Sequence, residues 1–208
     1  MAGARKRRTT YHHGDLEHAL IEAAINLIAR KGAAAFTLRE LARRVGVSHA
    51  AVYRHFTDKS ALLEAIATHG YQQLAARLRS SIAGVPSSRV ELRLLRIGTA
   101  YAMFAIEQEP RFRVMTRPRA EDLGSQALEA AIDDAFGVLL EVAKEGVEAG
   151  LLKKAPPLDH AMRVYLLAYG YASLVLLRRV RVRPEELESY LERLLSPLLA
   201  ALRTDTST

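Results

Sequence analysis

Apolar residues recur at three- and four-residue spacing through most of this chain, which predicts helices and an all-α fold. Leu16, Leu20, Ala23, Ala24, Leu27 and Ile28 mark a first helix over residues 15–31, with Gly32 to stop it. Leu38, Leu41, Ala42 and Val45 mark a second, shorter one. Thr37 precedes it as N-cap and Glu40 follows three places later. That pair predicts a capping box, in which each side chain satisfies the other residue's backbone N–H. Gly46 supplies the left-handed residue that closes this helix. Val47 plugs the turn, and Ser48 caps a third helix over 49–55 with Val52 inward and Phe56 just beyond. Asp58 caps a fourth over about 59–82, and Leu62, Leu63, Ile66, Leu74 and Leu78 face its core.

After the break at Gly84-Val85-Pro86-Ser87-Ser88 the pattern predicts helices over about 89–108, 111–117, 125–149, 159–179 and 184–203. From Val164 to Leu177 no face carries a charge, and a helix apolar all round is a buried one. A membrane span needs roughly 18–20 such residues, so this stretch is too short. The last helix has a broad stripe (Leu187, Leu191, Leu194, Leu195, Leu198, Leu202) with Pro197 inside it, where a kink is expected. Two such helices from each of two chains predict a four-helix interface with two-fold symmetry. The alternative is burial within one larger monomer. Gly170 and Ser173 allow close backbone approach at the interface.

A helix, a tight turn containing Gly46 and a second helix together make a helix-turn-helix pattern. In such units the second helix enters the major groove of DNA. His49, Tyr53 and His55 offer donors and acceptors there, and Arg39, Arg43, Arg44, Arg54 and Lys59 can meet phosphates. The competing reading is an ordinary helical hairpin with a basic surface. Charge separates the two. The chain has 208 residues and a net charge of +7, and residues 1–60 hold 11 basic and 5 acidic side chains, so +6 of that excess falls in the first sixty residues. A positive field concentrated on one region suits a nucleic-acid binder. Arg5-Lys6-Arg7-Arg8 either follow the DNA as a basic arm or form a solubilising tail.

Thr37, Leu41, Ala42, Gly46, Val47, Ser48, Val52, Tyr53, His55, Phe56, Lys59, Leu62 and Leu63 stand in an order that resembles the DNA-binding domain of the tetracycline-repressor (TetR) family, over about 16–63. The run AVYRHFTDKSALL carries most of the likeness. The resemblance implies an all-helical homodimer with about nine helices. Residues 1–13 would be a basic flexible tail, 14–60 the helix-turn-helix domain, and 61–204 the effector-binding and dimerisation domain. It further implies that Ser48, His49, Ala50 and Tyr53 face base edges and that Thr37, Arg39, Tyr53, His55 and Lys59 contact the phosphate backbone. The partners are then a double-stranded operator with palindromic half-sites, and a second copy of the chain held through 159–179 and 184–203. The C-terminal part is also similar to a ligand-domain subgroup with a Trp-His-Gly signature. Here Tyr165, Tyr169 and Gly170 take those places and only the glycine matches.

Repression is the family default, with release by a small, mainly apolar effector. Met103, Phe104, Phe112, Met115, Tyr165 and Tyr169 are the candidate pocket residues, since they combine apolar bodies with hydroxyls among the helices after Gly84. A dimeric helical module that binds ligand or protein but not specific DNA is the second reading. No glycine-rich phosphate loop, metal-spaced cluster or nucleophile motif is present, so neither an enzyme nor a metal or cofactor is expected. The adjacent His12 and His13 do not share a helix face. There is no cysteine, and no apolar segment follows the basic start, so a cytoplasmic bacterial protein is expected.

Overall fold

A computed structural model describes residues 13–117 and 125–204, with side chains from residue 16 onward. The proposed arm Arg5–Arg8 and the His12-His13 pair lie outside the described side chains. Nine α-helices and one short 3-10 turn make up the regular structure among the described residues. They run α1 (His13–Lys31), α2 (Leu38–Val45), α3 (His49–His55), α4 (Lys59–Ser81), α5 (Val90–Glu107), α6 (Glu109–Met115), α7 (Gln126–Glu148), α8 (Pro157–Leu176) and α9 (Leu187–Leu202). The chain divides into two compact units, one ending at Ile66 and the other beginning at Ala67.

In the first unit α1 packs on α2, and α2 on α3. Leu20, Ala24, Phe36, Leu41, Ala42, Val52 and Leu62 form its core, each almost wholly excluded from solvent. The helices are short, so their ends matter. Ser48 Oγ accepts from Ala51 N–H at 3.2 Å, and Asp58 Oδ1 accepts from Ala61 N–H at 2.9 Å. Gly46 adopts φ +77°, which turns the chain sharply between α2 and α3. The capping box forms by half. Thr37 Oγ1 accepts from Glu40 N–H at 3.2 Å, but the Glu40 carboxylate turns to Lys31 Nζ at 2.6 Å. A charged partner within reach is a stronger attraction for a carboxylate than a neutral amide.

In the second unit α5 is central, packed against α7, α8 and α9. Pro110 does not simply stop a helix. It sits in the first turn of α6, where its missing N–H costs nothing, and α5 has already ended at Glu107. Two glycines permit close packing here. A Cβ on Gly70 would lie 2.6 Å from Met115 Sδ, and one on Gly146 would lie 2.7 Å from Val90 and 2.8 Å from Leu152. A 3-10 turn, Pro184–Glu186, leads into α9, and Pro197 lies inside that helix. No helix among the described residues is long and apolar enough to cross a membrane.

Helix α8 is apolar all round, yet only one side of it is covered. Val164, Ala168, Tyr171 and Ala172 are buried, while Leu166, Leu174 and Leu177 are 58%, 44% and 66% exposed. Leu194 of α9 is exposed as well. Gly170 lies between Leu166 and Leu174 on this bare face, and a Cβ there would meet nothing within 4 Å.

Candidate nucleic-acid interface and ligand cavity

Helix α3 buries Ala51 and Val52 and presents its other residues outward. Ser48, His49, Ala50 and Arg54 are exposed, and Tyr53 is 51% exposed despite its large ring. Thr37, Arg39, Arg43 and Arg44 are exposed on and before α2. The geometry thus brings the four residues expected at base edges onto one accessible helix with cations on the neighbouring helix. Ser48 and Thr37 also cap helices, so each oxygen already accepts one backbone N–H. The Lys31 ammonium beside Glu40 holds that carboxyl below its ordinary range.

Two residues expected to meet phosphates are placed differently. The Lys59 ammonium donates to Ala34 O at 2.7 Å and Phe36 O at 2.9 Å, and it sits 4.6 Å from the centre of the Phe36 ring. It ties the loop before α2 to the start of α4. The His55 side chain is only 13% exposed, with Nδ1 3.8 Å from a Glu17 carboxylate oxygen. Both therefore face the protein. In each case an apolar stem and a polar tip let the side chain lie along the surface rather than extend from it.

The second unit encloses a cavity of about 250 Å³ between α4, α5, α7 and α8. Tyr71, Tyr101, Phe136, Met162 and Tyr165 line it together with aliphatic side chains, and no charged side chain does so among the described residues. Of the six candidates chosen from the sequence, only Tyr165 lines this space. Phe104, Phe112 and Met115 are buried packing residues. Phe112 meets the Tyr101 ring edge-on at 6.1 Å, and Met115 fills the space over Gly70. Met103 lines a separate polar groove with Arg77, Arg96 and Glu107. Tyr169 packs against Tyr165 and Phe112 without reaching the cavity wall. Tyr101 and Phe136 were not singled out by the sequence. Helical spacing identifies inward residues, but not which of them a void leaves uncovered.

The phenols at the wall are linked. Tyr71 O–H donates to Met115 O at 3.2 Å. Tyr101 O–H donates to the Tyr165 hydroxyl. Burial, then the nearby Tyr165 hydroxyl, pushes the Tyr101 phenol far above its ordinary range. Burial also raises that of Tyr165, and the bond from Tyr101 offsets part of this. All three phenols are neutral at physiological pH.

Comparison with known proteins covers both units. A family model described as bacterial regulatory proteins, tetR family, matches residues 20–66. A second, described as tetracyclin repressor-like, C-terminal domain, matches residues 94–198. The HTH-type transcriptional repressor Rv3405c of Mycobacterium tuberculosis is 30% identical over 139 residues, 66% of this chain and 72% of that protein. The class A tetracycline repressor from transposon 1721 of Escherichia coli is 33% identical over 108 residues, 50% of this chain and 47% of that protein. Among solved structures, a Rhodococcus protein of unknown function superposes with a TM-score of 0.81 at 25% identity, covering 95% of this chain and all of that one. The regulator PfmR of Thermus thermophilus gives 0.67 at 23% identity, covering 87% and 97%.

Proposed function

The chain belongs to the tetR family of bacterial regulatory proteins and is a transcriptional regulator with a helix-turn-helix DNA-binding domain; from that premise we propose that it is a repressor, binding a palindromic operator as a homodimer and released by a small, mainly apolar molecule. The observation that carries this reading is the outward face of α3, where Ser48, His49, Ala50 and Tyr53 stand exposed beside basic residues of α2. Base edges in the major groove are then read by those four residues, with Ala50 offering a methyl contact of the kind thymine accepts. Thr37, Arg39 and Tyr53 hold the phosphates, while Lys59 and His55 support the head from within. Phosphate contacts give affinity and base contacts give sequence choice.

The bare apolar face of α8 and α9 supports dimerisation through those helices. Leu166, Leu174, Leu177 and Leu194 would otherwise leave a contiguous patch in water. Repression is supported by the likeness to the mycobacterial repressor. The effector acts by population shift: it must bind more tightly to a dimer whose heads are wrongly spaced for DNA than to the DNA-competent one. Selection of bound sites from a random duplex pool tests the reading. An inverted repeat with half-sites about one helical turn apart, or a multiple of that, is the expected product. A lone half-site, or no enrichment, overturns the dimeric operator.

A further inference from the structure

We infer that the cavity of the second unit takes an uncharged aromatic molecule bearing one hydrogen-bond acceptor, and that the Tyr165 hydroxyl is the group that recognises that acceptor. The inference rests on the effector reading above and gives it a chemical class. Size comes first. An apolar cavity of roughly 150 Å³ holds benzene. A space of about 250 Å³ therefore suits a molecule of roughly ten non-hydrogen atoms on the same scale. Charge comes second. No described side chain at the wall can neutralise an ion, and an ionised ligand would lose its hydration without compensation.

The polar requirement is narrower still. Three phenols line the space, and two have already given their protons to the protein: Tyr71 to Met115 O, and Tyr101 to Tyr165. Tyr165 accepts from Tyr101, but among the described residues no acceptor takes its own proton. Tyr165 is thus the donor left over, and Tyr101 holds its oxygen in place. A buried donor favours a ligand that accepts from it over one of equal shape that cannot. The rings around it favour an aromatic guest. Tyr101 and Phe136 each meet Tyr165 nearly edge-on, at 5.5 Å and 6.0 Å, leaving ring faces and edges at the wall for a further T-shaped or offset contact.

Calorimetric titration of the full chain with acetophenone, isopropylbenzene and benzoate tests this, because the three probes share size and shape and differ in polarity. Acetophenone is expected to bind about three- to ten-fold more tightly than isopropylbenzene, and benzoate to give no binding heat at concentrations where acetophenone saturates. In Tyr165→Phe the acetophenone advantage disappears while isopropylbenzene binding is retained. Tyr101→Phe, which leaves the Tyr165 proton in place but unanchored, reduces the advantage without removing it. Benzoate binding as tightly as acetophenone overturns the inference. So does an equal loss of both neutral probes in Tyr165→Phe in protein that still melts cooperatively. Operator binding measured in parallel separates the two proposals. Bound acetophenone with the operator retained supports the cavity chemistry and removes release by such molecules. No probe bound, with the operator held normally, removes the cavity chemistry alone.

Discussion

The two units carry their chemistry on opposite sides of the protein surface. The first fills its interior and places its working residues outside: Phe36, Leu41 and Val52 are buried, and Ser48, His49, Ala50 and Tyr53 are exposed. The second leaves space in its interior and lines it with phenols. An outward face is fixed once a short helix has chosen which residues to bury. An inward void depends on how side chains from four helices fail to meet. The first kind of site is local in sequence, and the second is not.

The largest expected effect breaks the head from inside. Phe36→Ala should cost about 3–5 kcal/mol, enough to unfold a small unit, and DNA binding should vanish with it. Tyr53→Ala sits at an exposed position, so its melting should shift by no more than about 0.5 kcal/mol while operator affinity falls. Thermal melts and gel shifts on both variants distinguish structure from recognition.

Lys59→Ala is the next test, because this residue lies on the boundary between the two roles. Its two carbonyl partners and the Phe36 ring predict a loss of about 1–3 kcal/mol in the first unit with little change in the salt dependence of DNA binding. Unchanged stability, with a salt slope shallower by about one, would instead return Lys59 to the phosphates. Gly146→Ala probes the packed part of the second unit. The side chains of Val90 and Leu152 must move, at about 1–3 kcal/mol. Gly170→Ala meets open space and should leave a monomer unharmed, so weaker self-association in that variant, read by sedimentation, would place Gly170 at the dimer contact.

The smallest effect is a pH dependence. Glu107 is hydrogen-bonded by Arg77 at 2.6 and 3.1 Å, and that bond holds its carboxyl below the ordinary range. Arg79 does the same for Asp134. A carboxylate depressed in the folded state stabilises it above the unfolded pKa, and the contribution is lost as pH falls through the folded value. Both pairs are largely exposed, so the slope is shallow. Glu107→Gln should flatten it in acid melts between neutral pH and about pH 3.

Most of the fold was legible in the sequence because helical spacing and caps are local. The third helix matches its expected span, and Gly46 and Ser48 perform the roles their residue types suggest. The capping box was legible only by half, since Lys31 approaches Glu40 from a different helix. The base-facing set was readable from the order of residues on one helix, whereas Lys59 and His55 were turned inward by partners distant in sequence. In the cavity, Tyr101 escaped notice because its place at the wall depends on α4, α7 and α8 together. The bare face of α8 was anticipated from its lack of charge, which local pattern does show.

The most direct measurement is a salt titration of operator binding by the wild-type protein and Tyr53→Ala, with the stoichiometry of the complex determined in the same samples. The account predicts two chains per operator and an affinity that falls steeply with salt, with a slope of about −0.9 for each phosphate neutralised. It also predicts that Tyr53→Ala loses preference for the operator over unrelated duplex. One chain per site, or a Tyr53→Ala protein that discriminates as well as wild type, would contradict it.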